Sequence, residues 1–337
     1  MTDEAGAWDY LDSLAKPRRS LGRLEEVAAK LAGFQKRLDP QTRPRRIVIF
    51  AGDHGVVANG VSAWPSEVTG LMVSTITSSK AASSAMAAAN DVDLRLVDVG
   101  VSAAALVNPP SFFRNARIAN GTANLAVEPA MSVTQFDAAW AVGADEAHRA
   151  HEDGHVLVMA GEMGIGNTTC AACITMLLAN TELREAIGRG AGANDDMMSR
   201  KRDAVAAAVA RAHKIGDDKA QIASVCGYEI AAMAGFYVEA ARLNLVILLD
   251  GFVTTVAALI AQRLFPGTEK AMIAAHRSAE PGHDSALAQL GLTPLLDWGM
   301  RLGEGTGALI AVPMLDGAAA LMRDVAVLEA VGVDRKD

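Results

Sequence analysis

Five short runs rich in Val, Ile, Leu and Met recur along the chain, each ending near glycine or a polar residue: "RIVIFAGDHG" (46–55), "LRLVDVG" (94–100), "HVLVMAGEMG" (155–164), "LVILLDGF" (245–252) and "AMIAAHRS" (271–278). They are short for helices and apolar at neighbouring positions, the pattern of strands covered on both faces. Alanine-rich stretches of helical length, such as "DAVAAAVARAH" (203–213), lie between them. Strands alternating with helices predict an α/β fold: a doubly wound, mostly parallel sheet with helices on both faces. In such sheets ligands bind beyond the carboxyl ends of the strands. Four of the runs carry polar groups there: Asp53 and His54, Glu162, Asp250, and His276 with Ser278.

The two chain ends read differently. "SLGRLEEVAAKLAGFQKRL" is an amphipathic helix ahead of the first strand, and "LDGAAALMRDVAVLEAVGV" is a second helical segment. The expected organisation is a small helical domain built from residues 1–44 and 315–337, around a large α/β domain at 45–314 that carries the site. A chain of 337 residues with 51% hydrophobic content can bury a large core.

Net charge is −8 and no basic tract is longer than "RPRR" or "SRKR", which argues against nucleic acid or an acidic membrane surface as partner. No stretch reaches the roughly 20 uninterrupted apolar residues of a membrane helix. The opening "MTDEAGAWDYLDSL" is acidic where a signal peptide would be basic and then apolar. These features predict a cytoplasmic protein with a small-molecule partner and no membrane attachment. The three cysteines, Cys170, Cys173 and Cys226, are too few for a disulfide framework, and the C-x-x-C pair lies in an apolar helical run, as expected of buried thiols.

Three loops could hold an anion. "GEMGIGNTT" (161–169) is a glycine-rich strand-to-helix turn, though its spacing fits neither a dinucleotide fingerprint nor a P-loop. "GRGAGANDD" (188–196) precedes Lys201, and "HRSAEPGH" (276–283) offers Ser278, Arg277 and backbone amides. Taken singly, each also reads as an ordinary capped turn, with Lys201 on a solvated face. A competing pattern, "HRAHEDGH", brings His148, His151 and His155 close in sequence, and with Asp53 and His54 they would make a metal site only if they converged. Finally, "MRLGEGTGALIAVPML" (300–315) sets one acid, Glu304, among Gly303, Gly305 and Gly307 at the mouth of a helix-like run. An acid near a helix start is commonplace, but glycines around it indicate a close approach of backbone or ligand.

In chain order, "KPRRSLGRLEEVA", "AGDHGV", "GVSAWPSEVT", "GEMGIGNTT", "LDGFVTTVAAL", "HRSAEPGH" and "MRLGEGTGA" resemble the nicotinate-nucleotide:dimethylbenzimidazole phosphoribosyltransferase family, over residues 16 to about 320. The resemblance implies a homodimeric enzyme that moves phosphoribose from nicotinate mononucleotide to a benzimidazole-type base, with no metal or organic cofactor. It implies Glu304 as the catalytic carboxylate. For the nucleotide it implies Glu162 and Gly164 near the nicotinate and ribose, Gly190, Lys201 and Ser278 at the phosphate, Asp250 and Gly251 at the ribose, and Arg301 as a neighbouring contact. For the base it implies Trp64, Met72, Met163 and Leu302. Many members carry Gln where this chain has Leu71, and a glycine pair where it has Ser79 and Lys80, which bears on the choice of base.

The chemistry fits that resemblance. The ring nitrogen of nicotinate mononucleotide is quaternary, so the ring departs neutral and is already activated. The attacking benzimidazole becomes cationic unless its second nitrogen loses a proton, so a carboxylate must stand beside it. On this reading the glycines around Glu304 clear room for the flat ring. A non-catalytic nucleotide carrier would keep the phosphate loops but have little use for Glu304, and a hydrolase would need the histidines to gather a metal.

Overall fold

Alternate residues of a strand point to opposite faces, and the central strands here are apolar on both. Ile47, Ile49, Leu157, Met159 and Leu248 face one buried layer, while Val48, Phe50, Val158, Ala160 and Ile247 face the other. The computed structural model describes residues 2–332. Its strands are β1 (Arg45–Gly52), β2 (Asp93–Gly100), β3 (Phe113–Asn115), β4 (Leu157–Met163), β5 (Val246–Leu249) and β6 (Met272–Ala274). They form one sheet in the order β3-β2-β1-β4-β5-β6, every pair parallel. In register, Ile47 lies between Leu94 of β2 and Met159 of β4. The strand order reverses between β1 and β4, so the connections leave a crevice at the carboxyl ends of those two strands.

Five strands match the five apolar runs; β3 was not foreseen. It has three residues, "FRN", and pairs only with β2 at the sheet edge, so it lacks the two-sided apolar signature.

The second layer joins the chain ends. The Glu4–Ser13 and Arg23–Gln35 helices share an apolar cluster with the Thr306–Asp324 helix, through Leu11, Leu31, Leu309, Val312 and Leu315, and the same cluster includes Ile47 and Ile49 of β1. Ala15 N–H donates to the Ala326 carbonyl at 2.7 Å and the Tyr10 hydroxyl to the Met322 carbonyl at 3.1 Å. The boundary drawn from sequence at 314/315 falls inside the continuous Thr306–Asp324 helix, whose first turn reaches the site. That helix is the one segment among the described residues long and apolar enough to cross a membrane by length and composition, despite Asp316 and Arg323, and most of it is buried within the protein.

Candidate active site

The chain leaves β4, β5 and β6 on the same sheet edge, and each exit delivers the polar residue expected of it. Glu162, Asp250, and His276 with Ser278 all line one cavity of about 460 Å³. The 300–305 loop closes one side with Arg301, Leu302 and Glu304. Gly164, Gly190 and Gly251 complete the polar wall; Trp64, Met72 and Met163 line the apolar part. The three loops read from sequence as anion-competent thus meet at one cavity, and every predicted site residue lines it except Lys201.

Glu304 is buried at 4% exposure, and its backbone is left-handed at φ +58, between Gly303 at +88 and Gly305 at +77. A side-chain-bearing residue in this region carries strain of roughly 1–3 kcal/mol, tolerated where surrounding contacts impose it. Asp250 imposes it. Its Oδ1 accepts the N–H groups of Gly307 (2.6 Å) and Ala308 (3.1 Å), and its Oδ2 accepts that of Gly305 (3.1 Å). The carboxylate thereby caps the Thr306–Asp324 helix, whose first N–H groups have no partner within the helix. The Glu304 carboxyl is held from the other side, where the Ser83 hydroxyl donates to Oε2 at 2.8 Å.

The glycines flanking Glu304 are required by the loop itself. A Cβ on Gly305 would meet the Ile47 side chain of β1, one on Gly303 the Glu162 carboxyl, and one on Gly161 the Glu304 carbonyl carbon at 2.6 Å. Positive φ and close approach to the sheet fix them as glycine. Gly303 also lines the cavity beside Glu304.

Glu162 stands across from that loop. Its Oε2 accepts a short hydrogen bond from the Asn167 amide. Burial chiefly, then the charges of Asp250 and Glu229, push its pKa well above the ordinary carboxylate range. Burial and the neighbouring negative charges therefore favour its protonated form, which donates a hydrogen bond, a role different from that of a base. Burial also raises Asp250, opposed by His276 and by the three N–H groups it accepts.

The polar end is built from the 188–190 loop. Gly190 has φ +52, its N–H donates to Glu280 Oε1 at 2.9 Å, and its carbonyl accepts from Arg301 Nη1 at 2.6 Å. Lys201 is buried behind this loop rather than solvated, and Nζ donates to Thr168 Oγ1 (2.8 Å) and the Gly188 carbonyl (2.9 Å). Burial lowers its pKa to about 8. Ser278 N–H donates to His283 Nδ1 at 2.8 Å, and burial pushes His283 down to about 3. The imidazole is therefore neutral, with its proton on Nε2 facing Thr255 Oγ1 at 2.9 Å. Arg277 turns outward to Asp284 and Asp297. In the 161–169 turn, the N–H groups of Ile165, Asn167 and Thr169 are given to Thr69 Oγ1, Gly164 and Gly166. Side chains more than amides are what that turn offers.

The histidines have separate partners. His54 Nε2 lies 2.9 Å from Glu229 and Nδ1 3.2 Å from Cys170 Sγ, His148 pairs with Glu239, and His155 Nδ1 meets the Ala150 carbonyl. Asp53 Oδ2 accepts the Ser102 N–H at 2.7 Å. Among the described residues no group of three or more His, Cys, Asp or Glu side chains is placed to hold a metal ion. All three cysteines are buried free thiols.

Ser83 and Glu280 went unnoticed in the sequence. Glu280 lies inside the quoted "HRSAEPGH" loop; Ser83 has no local signal, being 221 residues from its partner. Ser79 has φ +56, the left-handed region that glycine favours. Leu71 is exposed on the Glu67–Thr77 helix, one residue from Met72 in the cavity wall.

A family model described as phosphoribosyltransferase matches residues 2–333. The chain belongs to that family. Among related phosphoribosyltransferases, the nicotinate-nucleotide–dimethylbenzimidazole phosphoribosyltransferase of Thermus thermophilus is 43% identical over 96% of both chains. The protein of that name from Mycobacterium marinum is 42% identical over 98% of this chain and 92% of its own. The crystal structure of CobT from Thermus thermophilus superposes with a TM-score of 0.95 at 43% identity, covering 99% of each chain.

Proposed function

We propose that the chain transfers the phosphoribosyl group of nicotinate mononucleotide to 5,6-dimethylbenzimidazole or a related base, giving α-ribazole 5'-phosphate and nicotinate for the lower ligand of cobalamin. The observation that carries this reading is a single cavity joining an apolar wall, the Glu162 and Glu304 carboxyl groups, and a polar loop backed by a buried lysine.

The nucleotide phosphate lies toward Gly190, Lys201 and Ser278, with Arg301 bracing the Gly190 carbonyl. The ribose lies near Asp250 and Gly251. Asp250 spends its oxygens on the helix cap, so its main part is to fix the Glu304 loop. Glu162, with Gly164, faces the nicotinate and ribose end, and its raised pKa favours donation to an oxygen there. The base stacks among Trp64, Met72, Met163 and Leu302, and Glu304 takes the proton from its second nitrogen as the first attacks the anomeric carbon. A base placed within about 3 Å contributes roughly 10² to 10⁴ in rate. Fixing both reactants in line supplies much of the rest. The departing pyridine ring leaves neutral, so the route requires no metal to stabilise it. Direct displacement inverts the sugar from β to α.

The test is incubation with nicotinate mononucleotide and a panel of azole and phenolic bases, with products read by mass and NMR. Nicotinate release with an α-linked product supports the proposal; no release with any base, or a β-linked product, overturns it. The same panel identifies the preferred base. We further propose a homodimer, supported by the family resemblance and by the exposed Leu71, and a cytoplasmic location, supported by the acidic, non-apolar start of the sequence; sedimentation and fractionation check them.

A further inference from the structure

The polar loop already engages an anion, and it belongs to the protein. Glu280 is buried at 6% exposure, and its Oε1 accepts the Gly190 N–H at 2.9 Å. Its Oε2 is buried with no hydrogen-bond partner among the described residues. A Cβ on Gly188 would collide with that same oxygen, so the loop is shaped around this carboxylate. Among the charges acting on Lys201, Glu280 is the foremost that favours its protonated form, ahead of Cys173 and Cys170. The Glu280 N–H in turn reaches Ser278 Oγ at 3.4 Å. The Glu280 carboxylate therefore engages Gly190 and acts on Lys201, while its backbone N–H meets Ser278, the third group assigned to the phosphate.

A buried carboxylate oxygen without a donor is unfavourable, and a cation beside a backbone N–H is what both a carboxylate and a phosphate monoester seek. Resting on the proposed placement of the 5'-phosphate at Gly190, Lys201 and Ser278, we infer that Glu280 is a resident competitor that the phosphate must displace or sit beside. Its carboxylate sets a threshold for anions. Inorganic phosphate has only its own contacts with which to overcome that repulsion, whereas a nucleotide adds those of its ribose and ring. Glu280 thus sets how tightly this loop holds any phosphate group, and it helps expel the phosphorylated product.

Glu280→Gln keeps an acceptor for Gly190 and removes the charge. The expected result is that inorganic phosphate inhibits the variant about five- to tenfold more tightly, as removal of a nearby like charge allows. KM for nicotinate mononucleotide falls alongside, and kcat declines as product leaves more slowly. Glu280→Ala shows the same tightening, and Glu280→Asp, which retains the charge, does not. Phosphate-induced shifts in melting temperature follow that order and serve where turnover is weak. A purely structural role predicts weaker phosphate binding and higher KM in both neutral variants, and that outcome, or no change, overturns the inference. If inorganic phosphate competes with nicotinate mononucleotide in neither the wild-type protein nor Glu280→Gln, the phosphate placement fails and takes this inference with it; equal competition in both removes Glu280 alone.

Discussion

The Ser83 hydroxyl donates to Glu304 Oε2 at 2.8 Å within the protein interior, tying the Ala82–Ala89 helix to the start of the Thr306–Asp324 helix. A base fixed on one oxygen presents the other toward the cavity. Ser83→Ala leaves the carboxyl free to rotate, so kcat is expected to fall about tenfold with KM for nicotinate mononucleotide nearly unchanged. The stability loss should be about 1 kcal/mol, that of one hydrogen bond. Steady-state kinetics check this, and an unaltered kcat would show that Ser83 does not position the acid.

Asp250 governs the same loop through its backbone. Asp250→Asn replaces one accepting oxygen by a donor facing N–H groups that are themselves donors. Loss of the cap and the mispaired group should lower stability by roughly 1–3 kcal/mol. Since Gly305 is one of those N–H groups, kcat should fall as well. Thermal melting and turnover measured together test this; a variant matching wild type in both contradicts it.

Lys201 gives a pH signature. Its pKa is lowered from 10.5 to about 8, so the ammonium charge is lost as pH rises through about 8, and KM for nicotinate mononucleotide should climb from there. Stability moves the other way. Between pH 8 and 10.5 the unfolded chain binds this proton more strongly than the folded one, so the Lys201 contribution makes stability rise with pH across that window. Lys201→Gln should show a high KM with this pH dependence removed. A wild-type KM flat from about pH 7 to about 9.5 counts against the assignment.

The sheet was legible because β1, β2, β4, β5 and β6 are buried on both faces and their sequences show it. The cavity was legible for a related reason: polar residues at or just beyond the carboxyl ends of β4, β5 and β6, namely Glu162, Asp250 and Ser278, line the sheet edge. What escaped depends on residues distant in sequence. Neither the hydroxyl of Ser83 nor the acid of Glu280 carries a local mark, and the role of Gly305 is decided by Ile47, far away on β1. Lys201 read as a surface lysine because its helix is amphipathic and charged; its burial follows from docking against Thr168 and Gly188.

The direct test of the central claim is Glu304→Gln, which keeps the acceptor for Ser83 and removes the basic oxygen. Turnover and nicotinate mononucleotide affinity are measured on the same preparation. The account predicts a loss of turnover of about 10² or more with nucleotide binding within a few fold of wild type. Turnover within a few fold of wild type would contradict it and remove Glu304 as the base.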